Sequence, residues 1–102
     1  METQELTVAE KTAQTIRLVD GEFTPSEASH VISSLLDVKI NFHKLQRLTK
    51  LEGDCYSNTS HDNGRIEELE SEKLDAREFI SLMRQNNLKL QIKGNLEITV
   101  AE

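Results

Sequence analysis

Four side chains capable of nucleophilic, acid–base or metal chemistry fall close together near the middle of the chain. Cys55, His61 and Asp62 lie within one short segment, and His43 precedes them on a predicted helix. Zinc accepts thiolate, imidazole and carboxylate ligands, and a cysteine near a histidine also suggests a nucleophilic pair. The Cys-x5-His spacing matches no compact zinc motif, and a polar loop does not hold a base against a thiol. We therefore predict no catalytic residue, no metal site and no cofactor.

Basic residues collect on the helix that contains His43. Every charged residue between Val38 and Leu51 is a base, whereas residues 65–78 contain six acids and three bases. The candidate interaction face consists of Lys39, His43, Lys44, Arg47 and Lys50. Such a cluster could contact the phosphates of a nucleic acid, or it could lie beside an acidic helix of the same chain or of a second copy. The net charge of -6 and the lack of an aromatic side chain on this face favour the second interpretation.

The first helix that positions these residues has a clear beginning. Thr24-Pro25-Ser26-Glu27 places a hydroxyl at the N-cap, proline at the first helical position and glutamate at the third, which is a capping box. Helical spacing then predicts a helix over about 25–52. Residues 36–43 also alternate as a strand would, but the leucines that follow keep only the helical spacing, so helix is preferred there.

The second helix is predicted over about 65–86, after a polar loop at residues 53–64. Asp62 or Asn63 is the expected cap. The predicted buried faces consist of Ala28, Val31, Ile32, Leu35 and Leu36 in the first half of the first helix, of Val38, Phe42, Leu45, Leu48 and Leu51 in its second half, and of Ile66, Leu69, Ala76, Phe79, Ile80 and Met83 on the second helix. Ile40, Leu74 and Leu82 fall outside these faces, and we expect them to be exposed.

Three strands complete the predicted fold. Residues 15–20 form a short β-branched strand that stops at the turn dipeptide Asp20-Gly21. Residues 88–93 and 96–100 alternate on either side of Gly94-Asn95, which fits a two-residue hairpin turn. Because an isolated hairpin is only marginally stable, we expect the three strands to form one antiparallel sheet.

The predicted fold class is therefore α+β, with an antiparallel helical hairpin packed on a small antiparallel sheet. Residues 1–13 are acidic and are expected to be a loosely ordered segment. Residues 14–102 are expected to form a single α+β domain, since a chain of 102 residues has the length of one typical domain.

Composition excludes several classes of protein. No run of 18 apolar residues is present, so the sequence predicts no membrane span. The acidic N-terminus lacks the apolar core of a secretory signal, and one cysteine, Cys55, allows no intrachain disulfide. Both features predict a cytoplasmic protein. The glycine-rich nucleotide motifs, the zinc-binding motifs and the serine hydrolase motif are missing from the sequence.

These observations predict a small soluble, non-enzymatic module for protein–protein interaction or regulation, acting as a homodimer. Hydrophobic residues form only 36% of the chain, which is typical of thin amphipathic elements that a partner completes. In the predicted dimer the basic Lys39–Lys50 face meets the acidic Glu67–Glu78 face of the other copy. Ile40, Leu74 and Leu82 are expected to line that contact. The alternative is a nucleic-acid-associated protein that uses the Lys39–Lys50 face.

Overall fold

The computed structural model describes residues 12–101, in the order strand, helix, helix, strand. The elements are β1 at Ala13–Phe23, α1 at Pro25–Gly53, α2 at Ser60–Gln85 and β2 at Leu90–Thr99. The α+β class and the antiparallel helical hairpin are confirmed. The loose segment predicted for residues 1–13 lies outside the described residues except at its last two positions.

Within the described residues the chain divides into two compact units. One is Phe23–Leu90, which contains both helices, and the other consists of the flanking segments that contain most of β1 and β2. Whether residues 14–102 behave as one domain therefore stays a prediction. The helical unit carries every candidate residue named from the sequence.

Helix α1 begins with the predicted capping box. The Glu27 amide donates to Thr24 Oγ1 at 3.2 Å, and the Thr24 amide donates to Glu27 Oε1 at 2.9 Å. Pro25 occupies the first helical position, where its missing amide costs nothing. The helix then continues without interruption to Gly53, so the helical prediction for residues 36–43 is confirmed.

The predicted start of the second helix is wrong by about one turn. Helix α2 begins at Ser60, with Thr59 as an N-cap that makes no side-chain cap bond. The Asn58 side chain accepts from the Ser60 amide at 3.0 Å and from its hydroxyl at 2.7 Å, so a local turn leads the chain into the helix. The cap predicted at Asp62 or Asn63 is also wrong, because both residues lie inside the first turns of α2.

Helix α2 ends at Gln85, within one residue of the predicted end, through a hydrogen-bonded cap at Asn86 and Asn87. The Leu88 amide donates to the Met83 carbonyl at 3.1 Å, and the Asn87 amide donates to the Arg84 carbonyl at 3.2 Å. Asn87 has a φ of 55°, in the left-handed region that asparagine tolerates better than most residues. This is the Schellman arrangement, and it stops α2 after Gln85.

The two helices pack in antiparallel orientation through stripes with alternating spacings of three and four residues. The stripe of α2 consists of Asp62, Ile66, Leu69, Lys73, Ala76, Ile80 and Met83, all buried or half-buried. The facing residues, which we call the inner stripe of α1, are Leu36, Ile40, His43, Arg47 and Lys50. Ile40, Ile66 and Leu69 form the apolar centre, with Leu36 packed against it. This spacing is that of a short two-stranded coiled coil.

The buried face predicted for the second half of α1 is wrong, whereas in the first half Ala28 is buried and Leu36 packs against the core, as predicted, although Leu35 is exposed. Val38 and Leu45 are 70% and 64% exposed, and Phe42, Leu48 and Leu51 are exposed as well. Ile40, expected to be exposed, is only 4% exposed. Helix α1 carries two apolar surfaces, and the one that contains more polar residues faces α2. On α2 the prediction holds for most positions, although Phe79 is exposed.

Strands β1 and β2 form a two-stranded antiparallel sheet in the described part of the chain, not the expected three strands. Residues 90–99 run as one strand, so Gly94-Asn95 is not a hairpin turn, and β1 continues through Asp20-Gly21. The Val100 amide donates to the Thr12 carbonyl at 3.3 Å, whereas Gln91 donates to Asp20 at the other end.

Gly94-Asn95 lies between these two cross-strand contacts. Both residues belong to the ten-residue strand β2. A glycine inside a strand is typical of a bulge or of a close approach of backbone and does not by itself end the strand. The dipeptide is therefore accommodated within β2 instead of reversing the chain.

Candidate functional site

A buried polar cluster joins the two helices near the loop that connects them. Asp62 on α2 is fully buried, and His43 on α1 is only 4% exposed. Asp62 Oδ1 lies 3.0 Å from His43 Nδ1, and Asp62 Oδ2 accepts from the Lys50 ammonium at 2.8 Å. Both oxygens of the Asp62 carboxylate are thus bonded to α1, by His43 about one turn after Ile40 and by Lys50 nearly three turns after it.

The hydrogen bond to Asp62 determines which His43 nitrogen carries hydrogen. A carboxylate only accepts, so Nδ1 must donate. The opposite nitrogen, Nε2, is buried and has no hydrogen-bond partner among the described residues. Aromatic rings surround the imidazole: the Phe42 ring centroid is 5.3 Å away, and the His61 centroid is 6.0 Å away, both edge-on.

The charge on Asp62 is stabilised by its partners. The hydrogen bond from Lys50 lowers the pKa of this carboxyl below its usual value, and the bond from His43 lowers it further. Burial raises the pKa but is outweighed by these two bonds. Asp62 is therefore an ionised acceptor, which holds one lysine and one histidine of α1.

This cluster is better suited to fixing the helix register than to chemistry. A buried polar group at a coiled-coil core position favours the one alignment in which its partners meet. Arg47 also donates to Asn63 at 2.9 Å, and Lys73 on α2 donates to Asp37 on α1 at 2.7 Å. Sliding either helix by one turn would break all of these contacts.

The four residues considered for metal or nucleophilic chemistry are only partly brought together. His43 and Asp62 are bonded and His61 is adjacent, but Cys55 is an exposed free thiol in the loop. No group of three or more histidine, cysteine or acidic side chains within residues 12–101 is placed to hold a metal ion. The geometry therefore joins His43 to Asp62 and leaves Cys55 outside this hydrogen-bonded pair.

The basic candidate face is divided by the fold. Arg47 and Lys50 turn inward to Asn63 and Asp62, and His43 is buried with them. Lys39 extends over the Phe42 ring, with its ammonium 4.6 Å from the ring centroid. Lys44 is exposed. These five side chains do not form one continuous surface, because three of them serve the contact between α1 and α2.

The exposed side of α1 presents a second regular surface. Leu35, Val38, Phe42 and Leu45 repeat at spacings of three, four and three residues, with Leu48 on the following turn. We call these five residues the outer stripe of α1. At 3.6 residues per turn the centre of the outer stripe lies about 160° around the helix from the centre of the inner stripe. Helix α1 is therefore apolar on two nearly opposite sides, and α2 covers one of them.

Two features of this site were not predicted from the sequence: the partnership of His43 with Asp62, and the exposure of the outer stripe. A signal for the first exists in the spacing of α2, where Asp62 precedes Ile66, Leu69 and Lys73 at intervals of four, three and four. Continuing that stripe backwards from Ile66 points to Asp62 as a core position.

Comparison of the chain with protein-family models, with curated proteins and with solved structures found no match. Neither helix described between residues 12 and 101 contains an apolar stretch long enough to cross a bilayer. Function must therefore be argued from the geometry alone.

Proposed function

We propose that this chain is a non-enzymatic protein–protein interaction module that acts as a homodimer, with the outer stripe of α1 as its contact surface. The observation that carries the proposal is the exposure of a continuous apolar stripe on a helix whose other apolar side is already covered. A helix that is apolar on opposite sides is stable when both sides are buried. A second copy supplies the missing cover.

The size of the surface supports association. With each large apolar side chain offering about 150–200 Å², the exposed fractions of the five outer-stripe residues correspond to roughly 450 Å² of apolar surface. That is as large as the largest apolar patch on a typical monomer, about 300–600 Å², and over half of the ~800 Å² that each partner buries in a standard interface. Flanking polar residues would provide the remainder.

The proposed dimer contact differs from the one predicted from the sequence, which used the Lys39–Lys50 face together with Ile40, Leu74 and Leu82. Ile40 is buried against α2, and Arg47 and Lys50 are engaged within the chain, so none of them can reach a partner without breaking the hairpin. Leu74 and Leu82 are exposed, as expected. They lie two turns apart on α2 with charged residues between them, so they do not extend into a stripe.

The nucleic-acid alternative receives less support from the geometry. Of the five side chains on the candidate face, Lys39 and Lys44 alone remain exposed and charged. Two cations would release few counterions from a nucleic acid, and the affinity would be correspondingly low and salt-sensitive. We further propose a reducing, cytoplasmic setting, because Cys55 is an exposed free thiol.

Light scattering across a range of concentrations tests the proposal. The wild-type chain should approach twice its monomer mass of 11.6 kDa at micromolar concentration. Leu45→Glu should remain monomeric, because the charge falls in the middle of the apolar contact. Leu74→Glu is the matched control: its side chain is 56% exposed and lies on the other helix, and the variant should dimerise normally. A wild-type mass of 11.6 kDa at every concentration contradicts the proposal.

A further inference from the structure

We infer that the outer stripes of two copies of α1 pair with each other in antiparallel orientation, so that the dimer is a four-helix assembly with α1 helices at its centre. This inference rests on the proposed dimer and adds to it the surface that the partner presents. Three features of α1 support it: the spacing of the stripe, the distribution of charge along the helix, and the lack of an equivalent stripe on α2.

The residue spacing of the outer stripe from Leu35 to Leu45 reads the same in both directions along the helix. It therefore matches the outer stripe of a second copy that runs in the opposite direction. Leu35, Val38, Phe42 and Leu45 occupy alternate core positions of a heptad. In an antiparallel pair Leu35 meets Leu45 of the second copy, and Val38 meets Phe42. The Val38–Phe42 layers combine a small and a large side chain, the Leu35–Leu45 layers pair two leucines, and the two-fold axis lies between Val38 and Phe42.

The charges on α1 favour the antiparallel orientation over the parallel one. Residues 25–37 contain two acids, Glu27 and Asp37, and no lysine or arginine. Residues 38–51 contain no acid, and of their four bases Lys39 and Lys44 are exposed, whereas Arg47 and Lys50 contact α2. A parallel pair places Lys44 of each copy beside Lys44 of the other, whereas an antiparallel pair separates these two charges and places each Lys44 level with Leu36 of the other copy.

Helix α2 does not offer a competing surface. Its exposed large apolar residues are Leu74, Phe79 and Leu82. At 100° per residue these three side chains spread over about 140° of the helix circumference, an arc that on α1 holds all five residues of the outer stripe, so the apolar surface of α2 is sparser. A second copy that docks through α2 would therefore bury one or two of these residues and leave the outer stripe of its own α1 uncovered.

Disulfide cross-linking tests the pairing. In a Cys55→Ser background, Leu35→Cys and Leu45→Cys variants with different tags are unfolded together, refolded and oxidised. Antiparallel pairing brings the two thiols into contact. The mixture should therefore yield roughly tenfold or more cross-linked heterodimer than the cross-linked homodimer that either variant forms alone, because proximity raises the local thiol concentration from micromolar to millimolar. Leu74→Cys, mixed with either variant, is the control and should cross-link poorly.

The remaining outcomes separate this inference from the proposed function. Efficient cross-linking of Leu35→Cys with itself would indicate parallel helices and overturn the inference, although the dimer would stand. Preferential cross-linking through Leu74→Cys would place α2 in the contact and also overturn it. If light scattering on the same samples gives a monomer mass without oxidant, the proposed dimer itself fails.

Discussion

Replacing Ile40 and Leu45 separately by alanine tests which side of α1 faces α2. Both changes remove three carbon atoms from an apolar side chain, but Ile40 is 4% exposed and Leu45 is 64% exposed. At about 0.8 kcal/mol per buried carbon, Ile40→Ala loses roughly 2.4 kcal/mol of transfer free energy. The cavity left against Ile66 and Leu69 raises the expected loss to about 3–4 kcal/mol.

Leu45→Ala is expected to cost much less within one chain. Since only about a third of its side chain is buried, the lost transfer free energy is about 1 kcal/mol or below, and no enclosed cavity forms. Dimerisation would add a contribution from the outer stripe. Both alanine variants should therefore be made in a Val38→Glu background, in which association is blocked and the hairpin is unfolded as a monomer.

Urea unfolding followed by far-UV circular dichroism measures both free energies. The expected result is a loss at least twofold larger for Ile40→Ala than for Leu45→Ala, with unchanged dependence on urea concentration. In the wild-type background the cost of Leu45→Ala should increase with protein concentration, whereas that of Ile40→Ala should not. An equal or larger loss for Leu45→Ala in the monomeric background would mean that α1 is rotated, and would refute the assignment of inner and outer stripes.

Two further predictions concern the cap of α1 and the buried carboxylate. Thr24→Ala should lower the free energy of unfolding by about 1 kcal/mol through loss of the N-cap acceptor, measured by urea unfolding, while Thr24→Ser should restore it. Because the pKa of Asp62 is lowered on folding, its contribution is present above its usual pKa of 3.8 and is lost as pH falls through the lower folded value. In the Asp62→Asn variant the urea midpoint should therefore decline less on acidification than in the wild-type protein. Asp75→Asn, on the exposed side of α2, is the control and should show the wild-type decline. Identical acid profiles for the wild type and both variants would contradict this prediction.

Much of the fold follows from local sequence signals. The capping box at Thr24 and the asparagines at the end of α2 fix two helix ends through hydrogen bonds among neighbouring residues, so the sequence alone identifies them. Gly94-Asn95 is different. The same dipeptide can form a tight turn or lie inside a strand, and the choice depends on the length of β1, which lies about 75 residues away in sequence and pairs with the whole of β2.

The buried face of α1 could not be chosen from apolarity alone. The outer stripe is the more apolar of the two, and a hydrophobic pattern therefore selects it as the core. The inner stripe includes His43, Arg47 and Lys50. These polar side chains can face α2 because Asp62 and Asn63 accept their hydrogen bonds. That compensation belongs to the pair of helices and is not visible in either helix by itself.

The arrangement assigns different physical roles to the two sides of α1. Polar contacts at the inner stripe are specific in geometry but contribute little net stability, because the desolvation penalty of burying the charges offsets much of the free energy of their attraction. In the proposed dimer, apolar contacts at the outer stripe are less specific but supply the driving force for association, which is roughly proportional to the area removed from water. The inner stripe thus sets the alignment of the hairpin and keeps α1 in one orientation. The outer stripe, held rigid by that alignment, is then available in a fixed form for a second copy, which is why we place the function of this chain on that side of α1.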